Sequence, residues 1–294
     1  MLENIHEYII TGFKWFAVLS LTLCPAVAVK QEMKAFRDVG LGPLGMVKVF
    51  VFIQTWMILS LLASLLMAPL KVLGQDVTRI GNGFFEYWIG TVCSAIFIGP
   101  VELRGLEKVP RDGKGRVFVM NHQSQADICS LYYLNTLFVW ISKKSVTYIP
   151  GVGQIMQLSG HILLERKGKA SIKAMYAESK DRLSKGKNIF IFPQGTRERT
   201  KVLPFKHGAF SIAVSEQVDI VPVSIHLEPT TWKKFFFYGY LFGREEARKT
   251  PQAIITVHDT MSIKDYQGEG AKEKMMEDAQ KIVYSVLGEN KKSK

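Results

Sequence analysis

The stretch NIFIFPQGTRER, residues 188–199, decides how this chain folds. Ile189, Phe190, Ile191 and Phe192 are apolar without alternation, the pattern of a strand covered on both faces. Pro193 and Gly195 then break the strand, so Gln194, Gly195, Thr196 and Arg197 arrive together at its exposed end. A buried strand delivering polar residues to a short loop is the arrangement of an open α/β sheet, whose ligands sit at the carboxyl ends of the strands.

Working outward, the pattern recurs. Short apolar runs at 117–120, 138–142, 161–164, 220–225 and 253–257 read as strands. Helical spacing over 126–137, 171–184, 209–215 and 271–287 places helices between and after them. The fold class expected is therefore α/β, a mostly parallel sheet covered by helices. It covers residues 102–294, and residues 1–101 form a separate, apolar, membrane-anchoring helical region.

The charge follows the same division. Of the formal net charge of +12, the first 101 residues contribute little, with seven Lys+Arg against six Asp+Glu; the remainder carries 31 against 20. The basic excess implies an anionic partner, and on charge alone nucleic acid, acidic headgroups and phosphorylated substrates all remain open. No recognition motif or aromatic-basic platform supports nucleic acid, which is not expected as a partner. Cys24, Cys93 and Cys129 lie in apolar runs or a helix, without disulfide or zinc spacing, so they read as small buried hydrophobes in a reducing compartment. No metal-ligand cluster is apparent.

Residues 49–70 hold no charge and are long enough to cross a bilayer as a helix. Residues 13–29 and 88–101 are shorter and fit spans, re-entrant helices or interfacial helices alike. Glu3 and Glu7 stand where a signal peptide has basic residues, so a cleaved leader is not expected. Lys30, Lys34, Arg37 and Lys48 crowd the first connection, which places it and the basic part on the cytoplasmic side if all three segments span; with shallow insertion the same basic face lies against anionic headgroups. Membrane lipids are thus expected partners.

Two groups of side chains could do chemistry. His122 and Asp127 are five apart and would diverge within one helix, but they meet if His122 lies in a loop and Asp127 in the first turn after it. Ser124 as N-cap with Asp127 three residues on, a capping-box pattern, supports that geometry. A carboxylate on an imidazole fixes its tautomer and makes it a general base; the competing reading is a capped turn with an incidental histidine. Arg197 offers a fork of donors suited to phosphate, Gly195 allows close backbone approach, and Thr196 adds a hydroxyl. Lys206 downstream, Arg166 at the end of GHILLER (160–166) and Lys144 before the YIPGVG turn are further cations on loops after strands, each equally readable alone as a solvated charge.

Taken together these residues resemble the 1-acyl-sn-glycerol-3-phosphate acyltransferases, the lysophosphatidic acid branch of the glycerolipid acyltransferases. NHQSQAD (121–127) carries the family's H-x-x-x-x-D as His122 and Asp127. GHILLER is similar to its G-x-x-x-x-x-R block, FPQGTR (192–197) to its F-P-E-G-T-R block, and IVPVSI (220–225) to its proline-centred strand. The resemblance covers roughly residues 100–226. It implies the glycerolipid acyltransferase fold and transfer of a fatty acyl group from acyl-CoA or acyl-carrier protein to the sn-2 hydroxyl of lysophosphatidic acid, with no other cofactor. In that reading His122 is the general base, Asp127 orients it, and Arg197, then Arg166 and Lys206, clamp the acceptor phosphate. The alternatives are a same-fold enzyme for another lysolipid or amino-lipid acceptor, and a catalytically silent lipid-binding relative. Gln194 departs from the family's glutamate: it keeps size and hydrogen-bonding reach but drops the charge.

Overall fold

The computed structural model describes residues 11–12, 14–16, 18–165, 168–233 and 250–289. The strands are β1 (Val101–Arg104), β2 (Val117–Met120), β3 (Phe138–Lys143), β4 (Ile162–Leu164), β5 (Asn188–Ile191), β6 (Ile220–Leu227) and β7 (Ala253–Val257), in one sheet of order β1-β7-β6-β2-β5-β3-β4. From β6 to β4 all neighbours are parallel; β7 runs antiparallel to β6, and β1 is parallel to β7. The sheet is mostly parallel and lies between helical layers, as its apolar runs require.

The side-chain alternation of β2 assigns the two faces. All four of its residues are buried. Val117 and Val119 join Ile189, Ile212, Phe210, Met275 and Val283 in one cluster, supplied by α6 (Lys169–Ser184), α7 (Gly208–Glu216) and α8 (Ala271–Glu289). Phe118 and Met120 face the opposite way, against Leu131, Leu134, Phe138, Trp140 and Met156. This second layer contains α4 (Ala126–Leu131) and α5 (Val152–Leu158).

Outside it lie α1 (Cys24–Ala35), which continues a helix from Lys14, and the 31-residue α2 (Gly42–Val72). Both are long and apolar enough to cross a membrane. At 1.5 Å per residue α2 is roughly 46 Å long. It buries a stripe that includes Gly45, Val49, Phe52, Met57, Ala63 and Met67, while Leu44, Val47, Val51, Ile58, Leu62, Leu65 and Leu66 face outward. The contact is close at Gly45 and again at Met57. Gly45 meets the Trp232 carbonyl, and a Cβ on Gly151, whose φ is +75°, would collide with the Met57 carbonyl. The helix therefore lies along the sheet domain, with one apolar face packed and the other bare. Phe52 sits between Trp56, Phe97 and Trp232 with ring centroids 5.4–5.5 Å apart, and truncating such a buried ring costs about 3–5 kcal/mol.

Several boundaries differ from the sequence reading, each for a local reason. The helix expected over 126–137 stops at Leu131 and gives way to a 3₁₀ turn, because Asn135 turns left-handed (φ +46°) to bring the chain back into β3. The apolar run 88–101 is not one element: helical residues through Ile98 end at Gly99, whose φ of +103° redirects the chain into β1 beside β7. β6 extends to Leu227, because β7 pairs with it through that residue.

Candidate active site

β2, β5 and β3 are adjacent in parallel, so the loops after them open on the same edge of the sheet. After Met120 the chain no longer pairs through its backbone, and side chains take over. The Asn121 amide both donates to the Ile225 carbonyl and accepts the Ile225 N–H, each at 2.7 Å, and Gln123 Oε1 accepts the Leu227 N–H at 2.8 Å. These bonds stitch the loop to β6. His122, between them, is fixed to the β5 loop instead: its N–H donates to Gln194 Oε1 (2.5 Å) and its carbonyl accepts the Glu198 N–H (2.8 Å).

His122 Nδ1 lies 2.7 Å from Asp127 Oδ2. The same oxygen accepts the N–H groups of Gln123 and Ser124, at 2.5 and 3.0 Å. An oxygen already accepting two donors can serve the imidazole only as an acceptor, so Nδ1 carries the proton and Nε2 its lone pair. No described residue hydrogen-bonds Nε2. Asp127 is fully buried and its Oδ1 has no hydrogen-bond partner among the described residues. Only half of the expected capping box forms. Asp127 accepts the Ser124 N–H, but the Ser124 hydroxyl donates to Glu32 of α1 (2.6 Å) and its oxygen accepts the Ala126 N–H (3.1 Å) instead of that of Asp127, and Gln125 stands at the N-cap of α4.

The His122 ring stacks on Phe192, centroids 3.9 Å apart and 12° from parallel, and Phe192 stacks on Trp140. Burial holds the His122 pKa below its ordinary value; Asp127 opposes this and the charge of Arg197 adds to it. The ring is therefore neutral at pH 7, the state a base needs.

The β5 loop turns at Gly195, whose φ is +71°, a conformation that suits glycine. Gln194 is buried and holds the loop to His122, leaving its Nε2 without a partner among the described residues. Thr196 is exposed. Arg197 Nη1 donates to Gln31 of α1 at 2.6 Å, while its buried Nε has no partner among the described residues. Glu198 and Arg199 clamp the loop to the end of α1 through Arg37 (3.1 Å) and Asp38 (3.3 Å).

The structure thus brings together His122, Gln194 and Arg197, on loops that follow parallel strands, and Asp127, in the first turn of α4. Lys206 is exposed and tied to this group by its own N–H, donated to the Pro193 carbonyl at 3.0 Å. Lys144 is not part of it. It follows β3, two strands from β2, where it pairs with Glu165 at 3.3 Å, both more than half exposed. Arg166 lies outside the described residues. No group of His, Cys, Asp or Glu among the described residues could hold a metal ion. Sequence reasoning missed the supports: Asn121, Gln123, Gln31 and, above all, Glu32. The one local signal for Glu32 is an acid alone among Lys30, Lys34 and Arg37.

Comparison with known proteins gives a consistent picture. The Acyltransferase family model matches residues 100–226. A 1-acyl-sn-glycerol-3-phosphate acyltransferase of Chlamydomonas reinhardtii is 31% identical over 226 residues, which is 74% of this chain and 64% of that protein. The Helicobacter pylori protein of the same name is 38% identical over 40% of this chain and 52% of its own length, and a chloroplastic one of Brassica napus is 34% identical over 48% and 42%. The chain thus spans less than two thirds of these curated relatives. The crystal structure of the 1-acyl-sn-glycerophosphate acyltransferase PlsC of Thermotoga maritima superposes with a TM-score of 0.54 at 25% identity, covering 70% of this chain and 78% of that one.

Proposed function

Since this chain belongs to the acyltransferase family by its residues 100–226, we propose that it transfers a fatty acyl group from acyl-CoA or acyl-carrier protein to the sn-2 hydroxyl of lysophosphatidic acid, forming phosphatidic acid. The observation that carries this reading is the neutral His122, held by a buried carboxylate, with Nε2 unpaired among the described residues and within the field of Arg197.

A hydroxyl is a weak nucleophile, so Nε2 of His122 removes its proton as the oxygen attacks the thioester carbonyl. The C–O bond forms and a tetrahedral intermediate carries the negative charge. The C–S bond then breaks, and the imidazolium returns the proton to the leaving thiolate. Asp127 keeps the ring in the working tautomer and stabilises the transient cation. Arg197 is the first candidate for the acceptor phosphate. To bind it the guanidinium exchanges its neutral partner Gln31 for a charged one, a stronger bond for the same donor. Arg166 and Lys206 supply further positive charge. Gln194 does what this geometry asks of the position, accepting the His122 N–H, without needing a charge.

Both acceptor and product are lipids, which gives the bare apolar face of α2 a purpose: it rests in the bilayer with the basic domain on the cytoplasmic side. The decisive assay measures thiol release from an acyl thioester by the full chain in vesicles, with and without lysophosphatidic acid. Release that depends on lysophosphatidic acid supports the proposal. Release only with a different lysolipid or amino-lipid makes it a sibling enzyme, and lipid binding with no release for any acceptor makes it a silent relative.

A further inference from the structure

We propose that Glu32, carried by the apolar helix α1, is a positioning residue that holds the His122 loop in reactive geometry, so that the seating of the membrane helix on the sheet sets catalytic competence. This rests on the reading of His122 as the general base.

The loop 121–125 is held on three sides. β6 takes Asn121 and Gln123, and the β5 loop takes His122. The third side is Glu32. Its Oε1 accepts the Gln125 N–H at 2.8 Å, and its Oε2 accepts the Ser124 hydroxyl at 2.6 Å and the Trp232 indole N–H at 3.0 Å. A turn earlier on α1, the Ala28 carbonyl accepts from the Gln125 side chain at 3.0 Å. Ser124 and Gln125 are two of the four residues between the histidine and Asp127, and the Ser124 N–H is one of the donors that fix Asp127 Oδ2. A shift of Ser124 therefore moves the carboxylate relative to the imidazole, and misplacement by about 1 Å costs up to roughly 10²-fold in rate.

The chemistry of the residue supports the assignment. Glu32 is fully buried, and burying an ion is costly unless donors surround it. Three donors converge on its two oxygens. Only a carboxylate satisfies all three, because a glutamine accepts with one oxygen and turns an N–H₂ toward a donor. Packing alone would be met by an apolar side chain at no such cost. The preceding residue reinforces the point: Gln31 contacts Arg197, so consecutive positions of α1 touch the loop of the base and the cation beside it. Neighbouring residues of a helix point about 100° apart, so α1 is wedged between the two loops and not merely laid upon one.

The test compares Glu32→Ala and Glu32→Gln with Glu86→Gln, which alters a buried carboxylate bonded to Asn82, Tyr132 and His161 rather than to the His122 loop, all in the full chain reconstituted in vesicles. The readouts are kcat, KM, thermal midpoint and the rate at which diethyl pyrocarbonate labels His122, followed by mass spectrometry. Glu32→Ala is expected to lower kcat about tenfold or more with KM changed less than about threefold, Glu32→Gln falling between it and the native chain. His122 labelling should accelerate in both, as the loop loosens around the ring. Glu86→Gln should lower the thermal midpoint yet leave His122 labelling unchanged. A folded Glu32→Ala with native kcat and native His122 labelling overturns the proposal, and so does acceleration of labelling in Glu86→Gln equal to that in the Glu32 variants. If Glu32→Ala fails to fold, Glu32→Gln and Ser124→Ala decide by the same readouts. Should the native chain transfer no acyl group to any acceptor, the reading of His122 as base falls, while its labelling in the Glu32 variants still decides whether Glu32 positions the loop.

Discussion

Among the described residues two histidine–carboxylate pairs are buried, and they differ in what is left of the imidazole. His122 meets Asp127 through Nδ1 at 2.7 Å and keeps Nε2 without a partner among the described residues. His161 meets Glu86 through Nε2 at 2.8 Å, and its Nδ1 accepts the Trp140 N–H at 2.9 Å, so both nitrogens are used. Glu86 is itself shared with Asn82 and with the Tyr132 hydroxyl, and the His161 side chain is fully shielded from solvent. Asn82 extends the network by accepting the Phe138 N–H at the start of β3, away from the loops at the strand ends. One pair is a tie between the 78–98 helical segment and the sheet; the other leaves a ring nitrogen available for the base role proposed above. A histidine beside a carboxylate is therefore not a site. The site is the nitrogen that the fold leaves unspent, on the edge where loops converge.

That contrast can be broken by mutation. His122→Ala should abolish acyl transfer, a loss of roughly 10⁴-fold at the upper end of what general-base catalysis supplies, with far-UV dichroism unchanged. Asp127→Asn, which lets the wrong tautomer form, should lower kcat by roughly 10²-fold or more. Glu86→Ala should do the reverse of these: it leaves His161 buried without its partner and costs about 3–5 kcal/mol of stability in denaturant titration, while kcat of the folded protein stays within about threefold. If Glu86→Ala instead removes turnover at full stability, the two pairs have been assigned the wrong roles.

A smaller effect concerns pH. Because burial depresses the His122 pKa, the acid limb of kcat/KM should fall below the ordinary histidine value of 6.5. The stability consequence has a definite sign: the unfolded chain binds the proton first, so stability drops as pH falls from about 6.5 through the folded pKa. Gln194→Glu places a carboxylate against the His122 backbone, with Asp127 and Arg197 the other charges acting there, and should move the acid limb upward by about one unit or less. An unmoved limb would mean that the added carboxyl is neutral in the fold. Least of all, Lys144→Ala should change acceptor KM by less than about twofold, since an exposed pair two strands away contributes little.

The comparison also marks how far the sequence reaches. The strand at 188–192, the loop after 117–120 and the contact between His122 and Asp127 were readable, because each depends on residues within a few positions of one another. His161 was readable only as part of a strand; its carboxylate partner, unlike that of His122, is not local but Glu86, 75 residues earlier in the chain. Glu32 was invisible for the same reason, its partners Ser124, Gln125 and Trp232 being 92, 93 and 200 residues away.

By itself, then, the sequence determined the alternation of buried strands and helices, the loops at which polar residues emerge, and the departure at Gln194. Period, propensity and turn chemistry are local, and they act before any distant contact forms. Only the tertiary structure decided which histidine keeps a free nitrogen, which acids become supports, and that α2 lies along the domain with one apolar face bare. Those outcomes depend on which elements become neighbours. A buried polar atom must find a partner wherever the fold provides one, however far away in sequence.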